Sequence, residues 1–126
     1  MLTSIRSYDS VGRYGGEEFL LVLPGCDLGC AAQQAERLRL AIGAEPMPLY
    51  EERMQDGINS TLPVSASFVA TTYYPGTSTR LEALIKLADD ALYEAKRTGR
   101  NRVVTRHDVA APKDVHPECD LVEVRA

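Results

Sequence analysis

Two glycines, two glutamates and a phenylalanine, Gly15-Gly16-Glu17-Glu18-Phe19, are the densest group of chemistry-bearing residues in this chain of 126. Adjacent glycines at a turn let a ligand come close to the backbone and leave amides free to meet a phosphate. If the turn continues into a strand, successive side chains alternate in direction, so one carboxylate can face a metal while its neighbour faces elsewhere. Oxygen ligands suit Mg²⁺, which typically keeps one or two protein carboxylates and shares the rest of its shell with water and nucleotide phosphates. A plain Gly-Gly hairpin with two solvated acids has the same letters.

The elements around this group follow from hydrophobic spacing. Residues 19–23 are a short apolar run bounded by Gly15-Gly16 and Pro24-Gly25, which predicts a buried strand entered from a tight turn. Asp27 is a natural N-cap for a helix from Leu28, with Leu28, Ala31, Ala32, Ala35, Leu38 and Ile42 on one stripe and Gly43 at its end. Residues 44–62 show no sustained period and are expected to be a loop, with a short helical turn at 50–55. Residues 64–70 alternate as a strand. Thr79-Arg80-Leu81-Glu82 fits a capping box, and a second helix follows with Leu81, Leu84, Ile85, Ala88, Leu92 and Ala95 on one face, closed by Gly99. Residues 102–105 read as a last short strand. Strands alternating with single helices predict an α/β or α+β layer fold, helices packed on a sheet.

Composition sets the outer limits. The chain is long enough for one ordinary core, and 44% apolar with 25% charged residues is globular usage. A net charge of −4 argues against a nucleic-acid polymer as partner. Charge is uneven: residues 96–106 hold five cations and no acid, whereas residues 107–126 are acidic and without period. The body, 1–106, is therefore expected to be one domain, and 107–126 a flexible tail or short appendage. No apolar run can span a bilayer. Three cysteines without zinc-type spacing predict free thiols in a reducing cytoplasm.

Gly15-Gly16-Glu17-Glu18-Phe19 resembles the GG[DE]EF signature of the GGDEF-domain family, the diguanylate cyclases that join two GTP into cyclic di-GMP. Val64-Ser65-Ala66-Ser67-Phe68 resembles the family's strand after the loop. Ala88-Asp89-Asp90-Ala91-Leu92-Tyr93-Glu94-Ala95-Lys96 and Gly99-Arg100-Asn101-Arg102-Val103 resemble its last helix and strand. The resemblance covers about residues 3–106 and implies a partial GGDEF, nucleotidyl-cyclase palm-like domain, its central sheet flanked by helices. It implies catalytic roles for Glu17 and Glu18, with Glu17 the Mg²⁺ ligand. Gly15 and Gly16 would lie against the nucleotide, and Lys96 and Arg100 would contact its terminal phosphate. Cations are favoured at helix C-termini in any case.

The same resemblance implies a second site. Arg6-Ser7-Tyr8-Asp9 stands five residues before the glycine pair, where the family places an RxxD motif that binds product. Arg37 matches a further arginine of that site. Arginine can clamp phosphate bidentately and stack on guanine, and Asp9 can accept from the guanine edge.

Two departures qualify this. Val69 stands where the family strand usually has glycine. Elements that precede the hairpin in the family, with another metal-binding Asp and the guanine-reading residues, have no counterpart before Asp9. The chain is thus expected to be the carboxyl-terminal part of such a domain, inactive alone, with an exposed sheet edge that favours a homodimer or a domain-swapped assembly. The competing expectation is a non-catalytic module that holds cyclic di-GMP or GTP through the RxxD site.

Overall fold

The computed structural model describes residues 5–48, 61–74, 80–107 and 119–125, the last by their backbone. Strand β1 (Ser10–Gly15) turns back into β2 (Glu18–Pro24), and helix α1 (Leu28–Ala44) follows. A two-residue ladder joins β3 (Met47–Pro48) to β4 (Thr61–Leu62). Then come β5 (Ser67–Tyr73), helix α2 (Leu81–Arg97), β6 (Val103–Thr105) and β7 (Cys119–Arg125). The fold is a mixed α+β arrangement, as expected for a partial GGDEF palm-like domain.

The sheet runs in the order β1-β2-β7-β5-β6. β5 and β6 are parallel and joined through α2, whereas β7 is antiparallel to both of its neighbours. Part of the acidic tail is therefore a central strand. Seven residues of β7 pair with β2 and the same seven pair with β5. An acidic stretch without an apolar period carries no local sign of a strand, since its pairing is set by β2 and β5 far away in the chain.

Two layers of side chains sandwich β5. Phe68 and Ala70 pack with Leu21, Leu23, Ala31, Ala35 and Leu38, which is the α1 face. Val69 packs with Ala88, Ala91 and Leu92, and with the partly buried Val104, on the α2 face. The valine in place of glycine is thus absorbed by two alanines of α2. Burial on both faces explains why β5 is buried from Ser67 to Thr72, although residues 64–70 suggested a half-exposed strand that started earlier. The stripe expected on α1 is present, with Gln34 added to its buried face.

Helix ends differ in detail. Asp27 caps α1 as expected, its Oδ1 accepting from the Cys30 amide at 2.7 Å. Gly43 does not end the helix, which runs on to Ala44. Glu45 is extended (φ −118°, ψ 109°), as the residue before Pro46 must tend to be. α2 starts at Leu81 with Arg80 as N-cap and no side-chain cap bond, and Thr79 lies outside the described residues. So does the helical turn expected at 50–55. No helix among the described residues is long and apolar enough to cross a membrane.

Cys26 and Cys30 form a disulfide, their Cα atoms 5.5 Å apart. This corrects the expectation of free thiols, which rests on an odd count of cysteines without zinc-type spacing. Asp27 starting a helix between them brings the two together, and the argument for a reducing compartment lapses with the pairing. Alkylation without reductant should leave Cys26 and Cys30 unlabelled in peptide mapping, and dithiothreitol should expose both. The two layers also make a prediction: Leu38→Ala and Leu92→Ala should each lower the unfolding free energy by about 2–5 kcal/mol in urea titrations. A loss below about 1 kcal/mol from either would mean that its face is not packed.

Candidate functional site

The signature residues form the tip of the first hairpin. Arg13 pairs with Phe19 and Gly15 with Glu18, so Tyr14 is an extra residue on β1 and the strand bulges just before the turn. Gly16 has φ +31°, a conformation that side chains disfavour by roughly 1–2 kcal/mol. Gly15 has no positive φ, and a Cβ there would meet nothing within 4 Å. The fold therefore demands glycine at 16 but not at 15. What a Cβ at Gly15 would occupy is open space over the turn, where a ligand backbone approach would occur.

Arg13 was not singled out by sequence reasoning. Its Nε and Nη2 donate to the Gly16 carbonyl at 3.0 and 2.7 Å, which ties β1 to the turn. The signal, an arginine two residues before the glycine pair, is visible only once the bulge folds it back. Glu17 stands exposed at the tip and Glu18 is half-buried at the start of β2. Two adjacent carboxylates beside glycine backbone in open space fit a Mg²⁺ that takes its remaining ligands from phosphate oxygens and water.

Lys96 and Arg100 sit at the end of α2 and in the turn beyond it. Gly99, Arg100 and Asn101 all have positive φ, at 131°, 61° and 44°. For the two non-glycine residues this costs on the order of 1–3 kcal/mol each, offset by local bonds. Arg39 Nη1 donates to Asn101 Oδ1 at 3.0 Å, and Arg102 donates to the Arg100 carbonyl at 3.2 Å and to Thr98 Oγ1 at 3.1 Å. Arg39 also grips Glu36 at 2.6 Å, and this hydrogen bond holds the Glu36 carboxyl below the ordinary carboxylate range.

Register relates this turn to the hairpin. Glu18 pairs with Arg125, Arg125 with Ser67, and the Phe68 amide bonds the Arg102 carbonyl at 2.8 Å. Both groups thus lie at one end of the sheet, three strand spacings or about 14 Å apart. That span suits an extended triphosphate nucleotide better than a single shared anion.

The RxxD residues lie toward the other end of β2. Asp9 Oδ2 accepts from the Arg6 amide at 2.8 Å, and the Asp9 amide donates to the Arg6 carbonyl at 3.1 Å, so the four residues close a turn. Arg6 Nη1 donates to the Tyr8 hydroxyl at 3.1 Å, and its Nη2 lies 3.9 Å from Cys30 Sγ. Arg6, Asp9, Leu23, Cys26, Cys30 and Gln34 line a shallow surface depression. Asp9 Oδ1 is buried without a partner, an acceptor that has lost water and gained nothing. Arg37 is not in the lining but donates to Gln34 Oε1 at 3.1 Å, which puts it at the rim. With Leu23 five residues from Glu18, this site stands about 17 Å from the hairpin tip.

A family model described as "Diguanylate cyclase, GGDEF domain" matches residues 1–102. The chain is 40% identical over 100 residues to the uncharacterized protein YhcK of Bacillus subtilis, covering 79% of this chain and 26% of that one. It is 36% identical over 104 residues to the response regulator PleD of Caulobacter vibrioides, covering 82% and 21%. To the diguanylate cyclase VdcA of Vibrio cholerae it is 44% identical over 92 residues, covering 73% and 25%. The chain spans about a quarter of the length of these relatives.

The two glycines separate fold from ligand. Gly16→Ala should cost about 1–2 kcal/mol of stability. Gly15→Ala should leave the unfolding free energy from urea titration within about 0.5 kcal/mol of unchanged, because its Cβ meets open space. Equal stability losses at both positions would overturn this division.

Proposed function

This chain belongs to the GGDEF family of diguanylate cyclases, and on that premise we propose that its hairpin holds one GTP with Mg²⁺ for condensation into cyclic di-GMP. The observation that carries the reading is the hairpin tip: Glu17 exposed beside a glycine backbone with open space above Gly15, on a turn locked by Arg13. Glu17, with Glu18 beside it, would hold Mg²⁺, which supplies charge neutralisation at the phosphates when bound. The backbone at Gly15 and Gly16 would lie along the triphosphate. Lys96 and Arg100 would meet its terminal phosphate across the sheet end.

Condensation joins the 3′-oxygen of one GTP to the α-phosphorus of the other and expels pyrophosphate. With one GTP per hairpin, two copies must face each other, so the reading implies a homodimer. A single hairpin supplies one pair of adjacent carboxylates, fewer than a two-metal displacement uses. The chain on its own is therefore expected to bind substrate without condensing it.

The test is incubation with GTP and Mg²⁺ while product is scavenged, followed by mass detection of cyclic di-GMP. No cyclic di-GMP is expected. A non-hydrolysable GTP analogue should bind in a Mg²⁺-dependent way, and Glu17→Gln should weaken it at least about tenfold, the scale of one charge-assisted contact. Cyclic di-GMP made by the chain and still made by Glu17→Gln would remove Glu17 from the metal site.

A second reading, a module that holds cyclic di-GMP at Arg6, Asp9 and Arg37, is favoured by one observation. Asp9 Oδ1 is a buried acceptor lacking a donor, and a guanine edge offers donors. The depression encloses no ligand-sized cavity, so product would be held against the surface by Arg6 and Arg37. Arg6→Ala should weaken cyclic di-GMP binding at least about tenfold in calorimetry while leaving the GTP analogue unaffected. Unchanged affinity would exclude the site.

A further inference from the structure

Gly99, Arg100 and Asn101, the residues that follow α2, all have left-handed backbone, with φ of 131°, 61° and 44°. Glycine takes such a conformation freely and asparagine tolerates it, but an arginine there is disfavoured. A residue so placed persists only where its surroundings hold it, and the backbone of Arg100 is held at both ends. Its amide donates back to the Ala95 carbonyl at 3.0 Å, the bond that closes a Schellman-type helix end. Its carbonyl accepts from Arg102 Nε at 3.2 Å. A Cβ at Gly99 would run into the Arg102 guanidinium, so the turn closes tightly on that side chain.

These bonds end the helix but leave Asn101 to a residue 62 positions away. Arg39 of α1 donates through Nη1 to Asn101 Oδ1 at 3.0 Å. The rest of its fork is engaged as well, with Nε and Nη2 donating to the two carboxylate oxygens of Glu36 at 2.8 and 2.6 Å. A partly exposed pair three residues apart on a helix contributes little by itself. What this pair does is fix a planar guanidinium, so that its remaining edge is kept on Asn101.

The arginines of this region sort by partner. Arg39, Arg102 and Arg106 are each bonded within the fold, Arg106 to Glu94 at 2.8 Å. Among the described residues, no hydrogen bond or ion pair engages the Arg100 guanidinium, which is exposed. A disfavoured backbone conformation and a long-range bond thus serve to present an uncommitted cation.

We propose that Arg39 is a positioning residue: oriented by Glu36, it holds Asn101 and so sets the left-handed turn from which Arg100 meets the terminal phosphate of a nucleotide. The inference rests on the phosphate role proposed for Arg100 above. Arg39 has its donors committed to Glu36 and Asn101 and acts through Arg100.

The test is calorimetry with a non-hydrolysable GTP analogue and Mg²⁺, with GDP for comparison, on variants shown by circular dichroism to be folded. Arg39→Lys keeps the charge beside Glu36 but should bind the analogue about tenfold more weakly, because an ammonium cannot grip Glu36 and Asn101 in one rigid fork. Asn101→Gly should show the same loss, although glycine accepts a left-handed turn more readily. If one of these variants does not fold, the other makes the same comparison. Affinity for GDP, which lacks the terminal phosphate, should change less than about twofold in both, the scale of independent sites. Adding either change to Arg100→Ala should weaken analogue binding no further, since residues that act through one another are not additive. In hydrogen exchange, the Arg100 amide should exchange at least about tenfold faster in Arg39→Lys, with residues 84–92 at the wild-type rate, which marks a local opening. The phosphate reading itself fails if Arg100→Ala binds the analogue as the wild type does, and the inference falls with it. The inference alone fails if Arg100→Ala weakens binding while Arg39→Lys and Asn101→Gly do not. It also fails if GDP binding drops as far as analogue binding, if the losses multiply in the double variants, or if exchange at Arg100 is unchanged.

Discussion

The backbone groups along β2 and β5 are the constraint on which this molecule turns. A strand edge facing the interior of a sheet must be paired or hydrated, and an unpaired buried amide or carbonyl costs about as much as a lost hydrogen bond. Here the edges are floored by the apolar face of α1, where Ala31, Ala35 and Leu38 are fully buried. One strand satisfies both edges at once, and β7 is that strand. Its insertion turns two hairpin-sized pieces into a five-stranded sheet. It also fixes the base of the signature hairpin, since Glu18 lies in register with Arg125 and through it with Ser67.

From that sheet the two candidate sites inherit their separation. The hairpin tip and the turn after α2 share one end, so acidic and basic groups flank a span of nucleotide size. The Arg6–Asp9 turn sits toward the other end of β2, against the start of α1. At the hairpin end the geometry is held by two arginines outside the signature: Arg13 closes the glycine turn, and Arg39 anchors the left-handed turn that carries Arg100. The buried Asp9 Oδ1 is the one place where the described site residues leave a polar atom unsatisfied by protein.

Much of the fold was legible before any coordinates. The Asp27 cap, the α1 stripe, the α2 stripe from Leu84 to Ala95 and the short strand before Pro24 follow from local rules and are present, whereas Leu81, expected on the α2 stripe, is exposed. The helix ends were less legible, because Gly43 and Thr79 are local signals that neighbours outweigh: Pro46 acts through Glu45, and Arg80 takes the capping position. The disulfide was hidden for the same reason, since only a helix starting between Cys26 and Cys30 brings them together.

The sequence by itself determined the family, the signature turn and the apolar faces, because these depend on residue types at short spacing. Tertiary structure alone decided the place of residues 119–125. Strand pairing is a contract between segments far apart in the chain, and an isolated heptad such as Cys119–Arg125 carries no mark of which edges await it. It decided, too, that Val69 is harmless, because only the packed α2 face shows Ala88 and Ala91 leaving room for its methyl groups. Local preference is written in each residue. The gap that a strand fills exists only after the rest has folded around it.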